Sequence, residues 1–196
     1  VRTRRVGNTS TFNLTNVTMA DNKDGGYTGG LKAYSGTALA PSNLVINLKN
    51  SILWGNSGAQ VSWHTGTLSF TDTTYNPFKI SYCCIDTVDP NNYPAINPIS
   101  GIPTGLVVAN PQFVGGGDYH LQSTSPCIDK GDPASSYANE PKWLNGCRVN
   151  MGAYGNTAEA ATTTTCVALT ADTNGDCRVN NADLLTLRGQ WLKTCP

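Results

Sequence analysis

Charge is scarce in this chain. Only 13% of its 196 residues are Asp, Glu, Lys or Arg, and the two signs cancel to a formal net charge of zero. A sparse, balanced surface argues against nucleic acid or an anionic membrane as partner. Arg2, Arg4 and Arg5 form the only basic cluster, which reads as a short solvated patch. Glutamate occurs only at Glu140 and Glu159, and histidine only at His64 and His120. Without a Cys-x-x-Cys pair, two histidines are poor material for a zinc cluster. No apolar run approaches the length of a membrane span. No Ser-His-Asp order, phosphate loop or dinucleotide fingerprint is present. Neither an initiator Met nor a signal-peptide pattern stands at Val1, so the chain reads as a mature or excised segment.

What is abundant points outside the cell. Seven cysteines among many Thr, Asn, Ser and Gly suit an oxidising, extracellular setting, at a secreted or cell-surface location. An odd count leaves at least one thiol without an intrachain partner. Asn8-Thr9-Ser10, Asn13-Leu14-Thr15 and Asn16-Val17-Thr18 have the form of N-glycosylation sequons, making Asn8, Asn13 and Asn16 the glycan candidates. The length suits one main domain with a small appendage.

The first part of the chain repeats. Asn13-Leu14-Thr15-Asn16-Val17-Thr18-Met19-Ala20-Asp21-Asn22 aligns with Asn47-Leu48-Lys49-Asn50-Ser51-Ile52-Leu53-Trp54-Gly55-Asn56 at an offset of 34 residues, and Ile80 to Ile85 form a weaker third copy. Strand-like segments recurring between Gly-rich turns are the signature of a solenoid, whose recurrent Asn side chains form ladders at the bends. An antiparallel sandwich with chance similarity is the competing arrangement, and the paired Asn positions favour the solenoid.

Beyond the third copy, Pro90, Pro94, Pro98 and Pro103 exclude long helices and central strands. Then come Asn110 to Val114, Asp118 to Leu121, Ser125 to Gly131 and Val149 to Tyr154. The strand NSILWGN, followed by PQFV, DYHLQSTSPCIDKG and VNMGAYG, resembles the closing coils of bacterial secreted right-handed parallel β-helix proteins, similar in architecture to the pectate-lyase superfamily. The resemblance covers most of residues 10–155 and implies an all-β fold: a short right-handed parallel β-helix spanning 1–155, with a C-terminal sorting or anchoring tail. It implies no activity.

Residues 156–165 end in four threonines and read as a linker. The last module, 166–196, opens on Asp172-Thr173-Asn174-Gly175-Asp176-Cys177-Arg178-Val179-Asn180-Asn181-Ala182-Asp183. Side-chain oxygens at loop positions 1, 3, 5, 9 and 12 are spaced to wrap one hard cation. Three carboxylates in one loop repel each other without it, whereas an Asx-rich helix cap would need only two or three of these groups. The ligand set for Ca2+ is Asp172, Asn174, Asp176, the carbonyl of Arg178, Asn180 directly or through water, and Asp183. Cys177 stands where an EF-hand loop has Gly, and Asp183 where it has Glu. With the following Leu184, Leu185, Trp191 and Leu192, the segment resembles a type I dockerin repeat. Dockerins carry two such repeats and bind cohesins, and this chain has one.

Cys195 lies beyond a helix starting near Asn181, roughly 15–20 Å from the loop at 1.5 Å per residue, too far for a disulfide with Cys177. Cys166 is instead expected to meet Cys195. In the closing region Cys127 is expected to pair with Cys147. Adjacent Cys83 and Cys84 should point to opposite faces of a strand.

No catalytic constellation is legible. The Asp residues of 1–155 stand mostly beside Gly, Pro, Asn or Thr, where turns and caps are their ordinary role. A general base needs an orienting partner, and none can be read beside either histidine. The expectation is a non-catalytic extracellular structural protein that self-associates head to tail into filaments. The rivals are a carbohydrate-binding or cohesin-docking module of a surface complex, and the end fragment of a polysaccharide lyase or hydrolase.

Overall fold

A computed structural model describes residues 10–23, 29–35, 44–65, 77–86, 103–141, 145–163, 171, 173 and 181–194. The strands are β1 (Ser10–Thr15), β2 (Thr18–Ala20), β3 (Leu31–Ser35), β4 (Leu44–Lys49), β5 (Ile52–Trp54), β6 (Val61–Thr65), β7 (Phe78–Ser81), β8 (Cys84–Ile85), β9 (Phe113–Gly115) and β10 (Asp118–Leu121), followed by helix α1 (Asn181–Thr194). The fold is mostly strand, and eight of these strands form three parallel sheets ordered β1-β4-β7, β2-β5-β8 and β3-β6. Within these sheets each strand pairs with the one three elements on, so the second circuit adds a strand to all three sheets and the third adds one to two of them.

The register matches the internal repeat. Asn13 stands beside Asn47, Leu14 beside Leu48 and Met19 beside Leu53, all 34 residues apart. Parallel pairing at this offset removes the antiparallel sandwich. The bends also recur: Asn16, Asn50 and Tyr82 have φ of 54°, 51° and 51°, and Asp21 and Gly55 have φ of 55° and 64°. Asn and Asp tolerate this left-handed conformation better than other side-chain-bearing residues. The expected amide ladders are present: Asn47 donates to Asn13 at 2.6 Å, Asn22 to Asn56 at 2.8 Å and Asn50 to Asn16 at 3.4 Å.

Two apolar clusters follow from the alternation of strand side chains. Leu31, Ala33, Ile46, Leu48, Leu53, Val61, Phe78, Cys83 and Ile85 fill the space between the three sheets. Their neighbours Ile52 and Cys84 point the other way, into a second cluster with Leu121, Cys127, Ile128 and Met151. The segment after β10 therefore lies as a strap along the flank of sheet β2-β5-β8. Gly152 sits at the closest approach, with φ 93°, where a Cβ would come within 2.8 Å of Ile52 and 2.9 Å of Thr18. Only glycine combines that backbone with that spacing.

The body runs past the expected boundary at 155. Asn156 donates its backbone N–H to Glu140 at 2.7 Å, Asn150 donates to the Ala161 carbonyl at 2.7 Å, and Ala160 is buried. Ala160 is enclosed and Ala161 packs against the second cluster, a partner that only the folded chain supplies. No helix among the described residues is long and apolar enough to cross a membrane.

Candidate functional site

Of the expected calcium ligands, Asp183 alone falls among the described residues; Asp172, Asn174, Asp176, Arg178 and Asn180 lie outside them. Asp183 is in the first turn of α1, where a carboxylate complements the helix dipole. It is buried at 2% exposure. Its carboxylate accepts the Thr173 N–H at 2.8 Å, and its carbonyl accepts the Thr173 hydroxyl at 2.8 Å. These bonds tie Thr173 to the first turn of α1. Among the described residues no group of three or more His, Cys, Asp or Glu could hold a metal. On the same helix Leu184, Leu185 and Leu187 are exposed.

The strap carries three carboxylates with shifted pKa. Glu140 is buried, yet its carboxylate accepts Asn150 N–H at 2.9 Å, Asn156 N–H at 2.7 Å and Asn145 Nδ2 at 3.0 Å. Burial pushes its pKa above the usual carboxylate value despite these donors. Asp129 is likewise raised by burial, against a bond from the Gly146 N–H. Asp132 holds Lys49 of β4 at 3.1 Å, and its pKa is lowered, first by the Ala134 N–H and then by that lysine. These carboxylates fasten backbone, the turn-and-cap role expected of them.

His120 has the partner that its sequence neighbourhood hid. Its Nδ1 meets Asp118 Oδ1 at 2.6 Å, its Nε2 lies 3.4 Å from Glu159, and its ring stacks on Tyr154 at 3.6 Å. The Asp118 bond leads the causes that raise its pKa. With a carboxylate at each ring nitrogen, the imidazolium is favoured. The signal was Asp-x-His in a strand, but Glu159, 39 residues further on, could not be foreseen. The side chains of Trp63 and His64, and Trp143, lie outside the described set, while Trp54 is half-buried against the second cluster.

Sheet β1-β4-β7 turns a polar face outward. Asn13, Asn47 and Lys79 stand in one rung and Thr15, Lys49 and Ser81 in the next, lining a shallow groove of about 480 Å3. Asn13 is exposed there, so its sequon is presented to solvent. Asn16 uses its Nδ2, the atom that a glycan would take, in a bond to the Asn150 carbonyl at 3.2 Å. Asn8 lies outside the described residues.

The cysteine pairing needs correction. Cys127 carries a free, fully buried thiol. Cys147 is disulfide-bonded, and to none of the free Cys83, Cys84 and Cys127. The reason is direction: Cys127 points into the second cluster toward Cys84, whereas Cys147 sits at a half-buried bend with φ 64°. Cys83 and Cys84 do face opposite sides, but both are buried, because the strap covers the outer one. Cys166 and Cys195 lie outside the described residues.

No protein-family model, no curated protein and no solved structure matches this chain.

Proposed function

We propose that this chain is a non-catalytic extracellular structural protein, a short parallel β-helix with a calcium-held dockerin-like tail, that stacks head to tail on further copies of itself. The observation that carries the reading is the contrast between the first circuit and the second. Phe12, Leu14 and Met19 are only half-buried, whereas their register partners Ile46, Leu48 and Leu53 are 4%, 0% and 0% exposed. Among the described strands β1, β2 and β3 stand at sheet edges, and such edges accept another strand. A copy stacked there would cover the apolar row and continue the ladders, and a heterologous contact of this kind propagates as an open polymer. With no net charge, repulsion between copies is weak. Electron microscopy and sedimentation of the full chain with calcium test the reading: filaments with a subunit-sized repeat are expected, and a strict monomer at high concentration overturns it.

A second reading, a carbohydrate-binding module of a surface complex, is favoured by the outward Asn, Thr and Lys rungs of sheet β1-β4-β7. Retardation in polysaccharide affinity gels that is lost in Asn47→Ala and Lys79→Ala would select it. The exposed leucines of α1 suit a cohesin-like protein partner within the same reading.

A further inference from the structure

We propose that Cys84 and Cys127 form a disulfide bond when the chain folds in an oxidising compartment, riveting strand β8 to the strap. Both side chains are 0% exposed and belong to one cluster with Ile52, Leu121, Ile128 and Met151. The two thiols interact within this cluster, and the Cys84 thiol also donates to the Ala109 carbonyl at 3.2 Å. Backbone bonds hold both residues in place. The Cys84 N–H donates to the Ser51 carbonyl at 2.9 Å, and the Cys127 carbonyl accepts from Met151 at 3.0 Å. The Ser125 hydroxyl accepts the Cys127 N–H at 3.1 Å. Joining the sulfurs therefore asks for side-chain adjustment within a fixed frame. Cys83 is the internal control: equally buried and adjacent in sequence, it points into the other cluster, where its thiol donates to the Ser81 carbonyl at 3.2 Å. Chain direction alone selects Cys84 over Cys83.

The co-reactant is a small disulfide of the glutathione type. One cysteine thiolate attacks it, forming a mixed disulfide and releasing one small thiolate. The second cysteine, deprotonated, attacks the bound sulfur and expels the other. Two cysteine thiols are thereby oxidised, one small disulfide is reduced to two thiols, and the two protons lost from the cysteines end on those thiols. The Cys127 thiol and then burial push the Cys84 thiol up, so exchange belongs to the stage before the strap docks, and the folded core then shields whichever state it has enclosed. Closing a long loop restricts the unfolded chain. The proposal is independent of stacking between copies.

The test uses the full wild-type chain refolded with reduced and oxidised glutathione, then unfolded and alkylated without reduction. Fragment-ion mapping should place a Cys84–Cys127 link, 2 Da lighter than the two free thiols, with the alkyl group on Cys83. The midpoint of denaturant unfolding should also fall when the protein is refolded with a reductant. A link through Cys83, a link from Cys127 to Cys147, or alkylation of both Cys84 and Cys127 would each overturn the proposal. Because the mapping is done on the wild-type chain, no variant has to fold. Cys83→Ser should keep the link and Cys84→Ser should lose it.

Discussion

Asn50 ties together three parts of the described protein. It is fully buried at a left-handed bend. Its amide donates to Asn16 and to Ser135, its Oδ1 accepts Asp132 N–H at 2.7 Å, and its carbonyl accepts Gly152 N–H at 2.8 Å. Replacing it with Ala strands the half-buried Asp132 N–H and puts a less tolerant residue at positive φ. The expected loss is about 2–4 kcal/mol of stability. Asn50→Gly keeps the backbone and should lose less, so denaturant unfolding of the two variants separates bond from conformation. His120 gives a pH signature. Its pKa is raised from 6.5, first by the bond to Asp118. The stability it adds is thus complete below pH 6.5 and is lost as pH rises through the raised folded-state value. Amide protection at Glu159 to Ala161 should fall across that window in the wild type and stay level in His120→Gln; a level wild-type profile refutes a stabilising role for the His120–Glu159 contact.

At the scale of elements, α1 depends on what precedes it. Its first turn carries Asp183, a buried carboxylate tied to Thr173, and calcium at the loop would neutralise that buried charge. Chelation should therefore melt α1, and calcium should restore it by RT ln(1 + [L]/Kd). Circular dichroism of the full chain tests this: helicity unchanged between excess chelator and excess calcium would sink the metal site. The register of β1 on β4 and of β2 on β5 was legible in the sequence, because an offset of 34 between Asn13 and Asn47 reports a parallel rung directly; the pairing of β3 with β6 was not. The strap was legible only as a row of motifs. That it lies on the flank depends on pairs such as Asn16 with Asn150, which no local period encodes. The pairing of Cys127 with Cys147 misses for the same reason: the fold turns Cys127 into the second cluster, whereas Cys147 sits at a half-buried bend.

For the whole molecule, the half-exposed row Phe12, Leu14 and Met19 makes the first circuit the expected seat of assembly. Deleting residues 1–10 should disperse filaments while leaving the calcium response of α1 intact. Sedimentation read beside circular dichroism distinguishes this from general unfolding, and undiminished filaments would move the interface elsewhere. The strap has a further consequence, for the order of events as the chain folds. Its hydrogen bond from Asn16 to Asn150 spans 134 residues, and contacts of such span are slow to form. A chain emerging from its N-terminus can pair β2 with β5 and β8 well before residue 150 exists, so Ile52 and Cys84 must wait uncovered on an outward apolar face. That interval is when the nascent protein is most open to aggregation, and it ends only when Gly152 seats against Ile52.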